Sequence, residues 1–327
     1  MHKISVLMSV YKEPVDWIRQ SIDSILNQTY TNFEFIIVND NPDRDENSQL
    51  LKDYLHRDER IRIITNEKNI GLTKSLNRGL AIAQGEYVAR MDADDISHPN
   101  RLEKQIDYLN QNPSIAICGT SAEIIDSHGI SVGYIPVFSN DRDIKTLLLV
   151  QSAFVHPSVM WRSCNNLLYD EDFRFSQDYK LWVNCYNLKF SNIPDRLIKY
   201  RVTDQQITSK NRFEQILLSK KIMQCAFVNA FGDSPSHIIN PIFNLIYNRE
   251  VIDCATIFKA IIDLLEISRK RNLNISILRR CLLSNLSQYI KQCSLKCMNY
   301  NVIHICRQIG FINSMYMLYY YVKDTLK

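Results

Sequence analysis

The first hundred residues alternate short apolar runs with segments in which apolar residues recur at helical spacing. Short apolar runs indicate buried strands, whereas a recurrence every three to four residues indicates an amphipathic helix. A β-α-β-α-β-α-β order of this kind predicts a doubly wound, parallel sheet. We predict strands at 4–10, 33–39, 61–65 and 86–91, and helices at 15–27, 48–56 and 73–84.

Beyond residue 95 the pattern becomes mixed and then purely helical. Ser97 is predicted to cap a helix over 100–110. Further strands are predicted at 115–124 and 132–136, a turn that becomes a strand at 155–161, and further helices at 141–150 and 178–188. We therefore predict an α/β domain over 1–210, with halves of about 1–110 and 111–210, and a helical, basic C-terminal region over 211–327.

Charge is distributed unevenly along the chain. Residues 211–327 hold 15 lysines and arginines against 7 aspartates and glutamates. Such a basic region is typical of an amphipathic surface on an anionic membrane leaflet, or of ordinary packed helices with a solvated basic face. The tyrosine-rich end at 309–327 favours the first alternative. No recognisable module indicates a nucleic-acid partner.

The N-terminal apolar run is too short for a signal peptide, and no stretch reaches the roughly 18 uncharged apolar residues of a membrane span. We therefore expect a cytoplasmic protein that is soluble or rests on a membrane surface. The nine cysteines form no C-x-x-C pair, which argues against a structural zinc site. Nothing in the sequence indicates an oligomeric state.

An acidic cluster, Asp92, Asp94 and Asp95, follows the strand predicted at 86–91. Adjacent carboxylates repel one another, and a hard cation such as Mn²⁺ or Mg²⁺ offsets that repulsion while bridging to a diphosphate. The alternative is an acidic turn that caps the next helix. Asp40 also follows a predicted strand, so that it and the cluster are expected at one edge of the sheet, where such folds bind ligands.

Several segments carry a family resemblance when taken in order. They are SVLMSVYKE at 5–13, SILNQTY at 24–30, FIIVND at 35–40, NIGL at 69–72, NRGL at 77–80 and GEYVAR at 85–90. With these, residues 1–205 resemble the inverting family-2 glycosyltransferases, which have a GT-A type, Rossmann-like fold with a doubly wound mixed sheet. A sugar nucleotidyltransferase or a dinucleotide dehydrogenase is disfavoured, because neither a glycine-rich phosphate loop nor G-x-G-x-x-G follows the first strand.

The resemblance implies a UDP-sugar site with Asp94 as the metal ligand. Asp40 would hydrogen-bond the uracil ring, Asp92 would contact the ribose or sugar, and Asp95 would contact the donor sugar or a water near the cation. Arg78 and Arg90 would lie near the nucleotide or diphosphate, or else form structural ion pairs. The other implied nucleotide-sugar contacts are Ser9, Tyr11, Glu13, Asn69 and Gly71.

FSQDYKLW at 175–182 resembles the acidic pair of the family, which is followed by an aromatic residue and Leu-Trp. Asp178 matches the catalytic base, although a helix N-cap is an alternative for it. Gln177 stands where the family usually has Glu, which changes the electrostatics around the base. His156 would contact the metal, the diphosphate or the acceptor, unless it is a core histidine. Trp182 is either an acceptor contact or a core residue.

The implied reaction moves a hexose from a UDP-sugar to a sugar hydroxyl with inversion. The segments ISHP at 96–99 and VHPSVM at 155–160 are most similar to those of O-antigen and capsule β-1,3-galactosyltransferases. The expected acceptor is a saccharide on undecaprenyl diphosphate, and the expected linkage is β, with galactose preferred. UDP-glucose and UDP-N-acetylhexosamine are alternative donors. Gln177 leaves open a catalytically degenerate protein that only binds nucleotide-sugar or serves as a scaffold.

Overall fold

A computed structural model of the chain describes residues 3–203, 212–248 and 254–292. The chain divides into two compact units. One comprises Met1–Ile144 and Ser152–Leu218, and the other comprises Lys145–Gln151 and Ser219–Lys327.

The first unit begins with four parallel strands connected by helices. The strands lie in the order β3-β2-β1-β4, so the chain adds β2 and β3 on one side of β1 and then β4 on the other side. In doubly wound sheets this switch at β1 creates the crevice where ligands bind. The elements are β1 Ile4–Val10, α1 Val15–Leu26, β2 Phe33–Asn39, α2 Asp45–Arg57, β3 Ile61–Thr65, α3 Leu72–Leu80 and β4 Tyr87–Arg90. The predicted order of these elements is confirmed.

Every residue of β1 and β2 is buried, as expected for central strands that are covered on both faces. Helix α3 packs closely on this sheet through Gly79, where a Cβ atom would lie 2.2 Å from Leu7 Cδ1. The helix ends at Leu80, earlier than predicted. The N–H groups of Ile82 and Ala83 bond only three residues back, and the N–H of Gln84 then donates to the buried carboxylate of Glu34.

The remainder of the first unit converts the parallel sheet into a mixed one. Strand β8 is antiparallel to both β4 and β6, whereas β9 is parallel to β6. This confirms the expected α/β fold with a mixed sheet. The elements are β5 Ile96–Ser97, α4 Arg101–Gln111, β6 Ile117–Ile125, β7 Ser131–Ile135, α5 Asp141–Leu147, β8 Met160–Arg162, α6 Gln177–Asn184 and β9 Phe190–Arg201, with short 3₁₀ turns at His156–Ser158 and Ser163–Asn165.

One expectation for this part was wrong, and one strand was not predicted. Ser97 does not cap a helix, because it lies in β5 and pairs with Ile198 of β9. Helix α4 instead follows Asn100, whose side chain makes no capping hydrogen bond. The long strand β9 was not predicted, since Pro194, Asp195 and other polar residues interrupt its apolar run.

The second unit is helical, and the helices pack on the segment Lys145–Gln151. Tyr247 Oη donates to the carbonyl of Val150 at 2.7 Å, and the N–H of Asn274 donates to Thr146 Oγ1 at 2.9 Å. Among the residues that the structure describes, no helix is long and apolar enough to cross a membrane. The tyrosine-rich end at 309–327 lies outside the described residues. The helices of the C-terminal region are α7 Arg212–Phe231, whose residues 212–218 belong to the first unit, α8 Ser236–Phe243 with a π-helical continuation Asn244–Asn248, α9 Cys254–Lys270 and α10 Ile275–Gln292.

Candidate active site

Polar residues gather beyond the carboxyl ends of β1, β2 and β4. Ser9 is mostly buried near the end of β1, and Tyr11 and Glu13 follow it in the connection to α1. The N–H of Tyr11 donates to Glu13 Oε2 at 2.7 Å, and its carbonyl accepts hydrogen bonds from Asn41 and Asn47. Burial raises the pKa of Glu13. This connection is therefore held in place before any ligand binds.

Asp40, which is only 2% exposed, organises the loop between β3 and α3. Its Oδ1 accepts hydrogen bonds from Asn66 Nδ2 at 2.6 Å and from the N–H of Ile70 at 2.9 Å. Its Oδ2 accepts from Asn69 Nδ2 and from the N–H of Gly71, both at 2.9 Å. Both oxygens thus already accept two bonds, a positioning role that the sequence did not predict. The uracil contact stays a prediction.

Gly71 and Arg78 complete this loop network. Gly71 has φ +88°, which favours glycine because a Cβ would be strained there. Arg78 is exposed on α3 and donates to Asn66 Oδ1 instead of forming an ion pair with a carboxylate. The predicted nucleotide residues Asp40, Asn69, Gly71 and Arg78 therefore belong to one connected network.

Arg90 and Asp92 form an ion pair at the end of β4. Arg90 is fully buried, and Arg101 Nη2 donates to its backbone carbonyl at 2.7 Å. The burial of Arg90 and its ion pair with Asp92 favour the structural alternative, and its contact with nucleotide or diphosphate stays a prediction. Asp92 is half-buried, and its carbonyl accepts a hydrogen bond from Ser21 Oγ at 2.7 Å.

Asp94 and Asp95 have the features of carboxylates that need a cation. Burial raises the pKa of Asp94, and Asp92 and Glu13 add to the increase. Burial and then Asp94 likewise raise the pKa of Asp95, whose Oδ2 is buried without a hydrogen-bond partner. An all-oxygen donor set of this kind suits Mn²⁺ or Mg²⁺.

The side chains of the protein do not by themselves complete a metal site here. Within the described ranges, no three His, Cys, Asp or Glu side chains converge to hold a metal ion. Mg²⁺ sites commonly use one or two carboxylates, with water and substrate phosphates as the other ligands. Asp94 fits such a site, because it is half-buried beside the crevice.

Asp178 lies in the first turn of α6. Ser152 Oγ donates to its Oδ2 at 3.2 Å. Burial raises the pKa of Asp178, the N–H of Tyr179 and the Ser152 hydroxyl oppose that increase, and Asp92 adds to it. The N-cap alternative does not apply, since Ser176 precedes the helix. Gln177 begins the helix and is 9% exposed.

His156 and Tyr169 share a hydrogen bond of 2.7 Å beside Asp178 and Arg90. Burial, with a contribution from Arg90, lowers the pKa of His156 well below its usual value, so its imidazole is neutral at physiological pH. Trp182 has no exposed surface and packs against Phe154 and His156. Its burial favours the core alternative, and the acceptor contact stays a prediction.

Helix α3 holds the loop that leads to Asp178. Asn77 Nδ2 donates to the carbonyl of Tyr169, and Asn77 Oδ1 accepts from its N–H, both at 2.9 Å. Thr73 Oγ1 donates to the carbonyl of Phe173 at 2.9 Å. One face of α3 thus anchors the acceptor-side loop, and its N-terminus adjoins the Asp40 network.

Sequence reasoning missed several residues that organise the site. A strand-end Asp is recognisable from the local pattern, whereas a long-range partner is not. The segment NRGL contributes to the family resemblance, yet nothing in it indicates that Asn77 contacts Tyr169. The missed residues are Asn66, Asn77, Ser152, Tyr169 and Arg201.

The sequence model of glycosyl transferase family 2 matches residues 5–164. The chain is 40% identical over 207 residues to an uncharacterized glycosyltransferase of Methanocaldococcus jannaschii, covering 62% of this chain and 71% of that protein. It is 36% identical over 207 residues to the O-antigen biosynthesis glycosyltransferase WbnJ of Escherichia coli, covering 61% and 79%. The chain therefore belongs to glycosyltransferase family 2.

Solved structures agree on the fold. TarS 1–349 of S. aureus in complex with UDP-GlcNAc has a TM-score of 0.55 at 16% identity, covering 98% of this chain and 92% of that one. The mannosyltransferase PcManGT of Pyrobaculum calidifontis, in complex with GDP-Man and Mn²⁺, has a TM-score of 0.54 at 14% identity, covering 99% and 87%. These likenesses show a GT-A type fold.

Proposed function

We propose that this glycosyltransferase moves a hexose, preferably galactose, from a UDP-sugar to a sugar hydroxyl with inversion of the anomeric centre. The observation that carries the proposal is a set of contacts that joins the two sides. The N–H of Arg90, beside the acidic segment, donates to the carbonyl of Val159 at 2.9 Å, and His156, in the turn just before Val159, is hydrogen-bonded to Tyr169 in the loop before α6. Asp92 also adds to the raised pKa of Asp178.

Asp178 acts as the general base in this proposal. An acceptor hydroxyl is a weak nucleophile until its proton is removed, and a positioned base is most effective when its pKa lies near the working pH. Burial raises the pKa of Asp178 in that direction. The Ser152 hydroxyl keeps Oδ2 oriented. Gln177 beside it is neutral, so Asp178 has no charged neighbour at that position.

The donor side binds and orients the nucleotide-sugar. Ser9, Tyr11 and Glu13 line the nucleotide pocket, and the Asp40 network presents the loop that ends at Gly71. Asp92 contacts the ribose or sugar, and Asp94 and Asp95 face the diphosphate and donor sugar. When bound at Asp94, Mn²⁺ or Mg²⁺ supplies Lewis-acid stabilisation of the departing diphosphate. His156, neutral and hydrogen-bonded to Tyr169, offers a ring N–H to the diphosphate or acceptor.

The acceptor is proposed to be a saccharide on undecaprenyl diphosphate in O-antigen or capsule synthesis, and the product linkage to be β, preferably β-1,3. The names of two relatives support a role in polysaccharide synthesis. One is WbnJ, and the other is the amylovoran biosynthesis glycosyltransferase AmsE of Erwinia amylovora, which is 32% identical over 222 residues. The UDP-GlcNAc complex of TarS supports UDP as the nucleotide.

The proposal is tested with a donor panel on the purified full chain. The protein is mixed with Mn²⁺, a lipid-diphosphate GalNAc or GlcNAc acceptor, and tritium-labelled UDP-galactose, UDP-glucose or a UDP-N-acetylhexosamine. We expect transfer and UDP release, fastest with UDP-galactose. A protein that binds UDP yet transfers and releases nothing from any donor would instead be the degenerate scaffold, and transfer from a GDP-sugar alone would reject UDP.

The helical unit is proposed to hold the enzyme on the cytoplasmic face of the inner membrane, near its lipid acceptor. Exposed Lys259, Arg269, Lys270, Arg271 and Arg280 lie on or beside α9 and α10. Basic residues near an anionic surface contribute about 1 kcal/mol each. We expect cosedimentation with phosphatidylglycerol vesicles that weakens at high salt. Equal binding to neutral vesicles would reject the electrostatic role.

A further inference from the structure

Arg201, the last residue of β9, contacts the acidic segment through both its backbone and its side chain. Its N–H donates to Asp95 Oδ1 at 2.8 Å, and its Nε donates to the carbonyl of Asp94 at 2.8 Å. Arg201 is 1% exposed, so these bonds are shielded from water. The segment that carries the proposed metal ligand is thus fastened to β9, which is distant in sequence.

The other nitrogen atoms of the same guanidinium reach two further segments. Nη2 donates to Gln20 Oε1 on α1 at 2.8 Å, and Nη1 donates to the carbonyl of Asp126, after β6, at 3.2 Å. The guanidinium also lies 4.7 Å from the centre of the Trp17 ring. A planar cation with donors on three sides is therefore fixed by α1, by the turn after β6 and by an aromatic face.

These contacts constrain the orientation of both acidic residues. The carbonyl of Asp94 is held from one side, while one oxygen of Asp95 is held by the backbone of Arg201. The second oxygen of Asp95 is buried without a hydrogen-bond partner. Because partners behind a metal ligand orient it and tune its affinity, a residue that fixes this segment is expected to influence cation binding.

We propose that Arg201 is a positioning residue for the cation-binding segment, and that it sets the affinity for Mn²⁺ by holding the backbone of Asp94 and Asp95. The proposal rests on the proposed role of Asp94 as metal ligand. It makes Arg201 part of the donor machinery although it contacts no substrate. Lysine is a poor replacement, because one ammonium group cannot reach the carbonyls of Asp94 and Asp126 and the Gln20 amide together.

The test measures Mn²⁺ binding to the full-length protein with saturating UDP, by the electron paramagnetic resonance of free Mn²⁺. For Arg201→Met and Arg201→Lys we expect about 10–100-fold weaker Mn²⁺ binding, with metal-free UDP affinity within about twofold of wild type. Arg196→Met is the matched control. Arg196 is an exposed arginine of the same strand that lies over the Tyr134 ring at 4.1 Å, and its loss should not change Mn²⁺ affinity.

Two additional variants keep the result interpretable. Asp94→Asn is the reference for loss of the ligand itself. Gln20→Ala leaves Arg201 in place but removes one acceptor, so a smaller loss in the same direction is expected even if the Arg201 variants unfold. Thermal unfolding of each variant separates misfolding from a specific loss of metal affinity.

The outcomes distinguish the inference from the function on which it rests. If Asp94→Asn loses Mn²⁺ affinity but the folded Arg201 variants and Gln20→Ala keep it within about twofold, the positioning role is overturned and the metal assignment stands. If Asp94→Asn itself binds Mn²⁺ like wild type, the metal assignment and this inference fail together. Weakened binding in both Asp94→Asn and the Arg201 variants supports both.

Discussion

Asp40 on the donor side and Asp178 on the acceptor side are held very differently. Asp40 is 2% exposed, and its two oxygens accept four hydrogen bonds from a single loop. Asp178 is half-buried, Ser152 Oγ donates to its Oδ2 at the longer distance of 3.2 Å, and the N–H groups of Asp178 and Tyr179 also bond its carboxylate. A buried carboxylate that is bonded throughout by one loop shapes a binding loop, whereas a half-buried one at the start of a helix keeps the exposure that is needed to accept a proton.

The same contrast extends to the surroundings of each residue. The donor side is assembled largely from strand ends and the loops that follow them, so its geometry is set by the sheet. The acceptor-side loop depends on α3, which contacts it through Asn77 and Thr73. We therefore expect donor-side changes to alter nucleotide binding and acceptor-side changes to alter turnover.

Asp178→Asn should give the largest effect. An amide cannot remove the acceptor proton, so kcat should fall by about 10²–10⁴-fold while the Kd for UDP stays unchanged. Steady-state kinetics and calorimetric titration with UDP would check this. The exposed Asp172→Asn, in the loop before α6, is the control and should behave like wild type. Near-normal turnover in Asp178→Asn would show that the base lies elsewhere.

Asp40→Asn should weaken nucleotide binding on the donor side only. The new NH₂ group would face N–H donors that now bond an oxygen, at a cost of about 1–3 kcal/mol in stability. We expect a lower Tm and roughly tenfold weaker UDP binding, since about 1.4 kcal/mol corresponds to a factor of ten. Asp43→Asn, which changes an exposed carboxylate nearby, should leave UDP affinity as it is. Unchanged UDP binding by Asp40→Asn would show that the loop it organises is not part of the nucleotide site.

Asn77→Ala should affect the acceptor side, whereas Asp40→Asn affects the donor side. It removes two hydrogen bonds to the backbone of Tyr169, each contributing about 1 kcal/mol, and so loosens the loop before Asp178. We expect kcat/KM for the acceptor to drop roughly tenfold with little change in UDP affinity. Lys74→Ala on the same helix is the control. An equal loss in UDP binding would contradict the division between the two sides.

Ser152→Ala should produce the smallest change, visible mainly as a pH effect. Burial already raises the pKa of Asp178, and loss of a hydrogen bond to its ionised form raises that pKa further. The acidic limb of the kcat/KM profile should therefore move to higher pH, by roughly 0.5–2 units if the bond contributes up to about 3 kcal/mol. Ser152→Thr keeps the hydroxyl and should restore the profile. A shift to lower pH would contradict the assignment.

The parallel half of the fold and the donor-side residues were predictable, because each strand end is marked by a local pattern. Phe33–Asn39 is a continuous apolar run followed at once by Asp40. Strand β9 was not predictable in the same way, since Pro194 and the charged residues beside it disrupt the period. β9 forms a strand because it pairs with β6 along its length, although its own sequence lacks a strand pattern.

The contacts that complete the site were also beyond local reasoning. Asn77 and Tyr169 are 92 positions apart, and Arg201 and Asp94 are 107 positions apart. A single sequence carries no signal for such pairs, because neither residue type is unusual where it stands. The alternatives for Arg90 and Trp182 could not be separated from the sequence for a related reason, since they depend on burial and burial depends on the whole fold.

The anomeric configuration of the product tests the central claim most directly. The full-length enzyme is supplied with the α-linked UDP-hexose that it uses best and with a lipid-diphosphate saccharide, and the new linkage is assigned by the proton coupling of its anomeric centre. A single displacement assisted by Asp178 predicts a β-linkage. An α-linkage would mean retention, which a single displacement with Asp178 as the base cannot give.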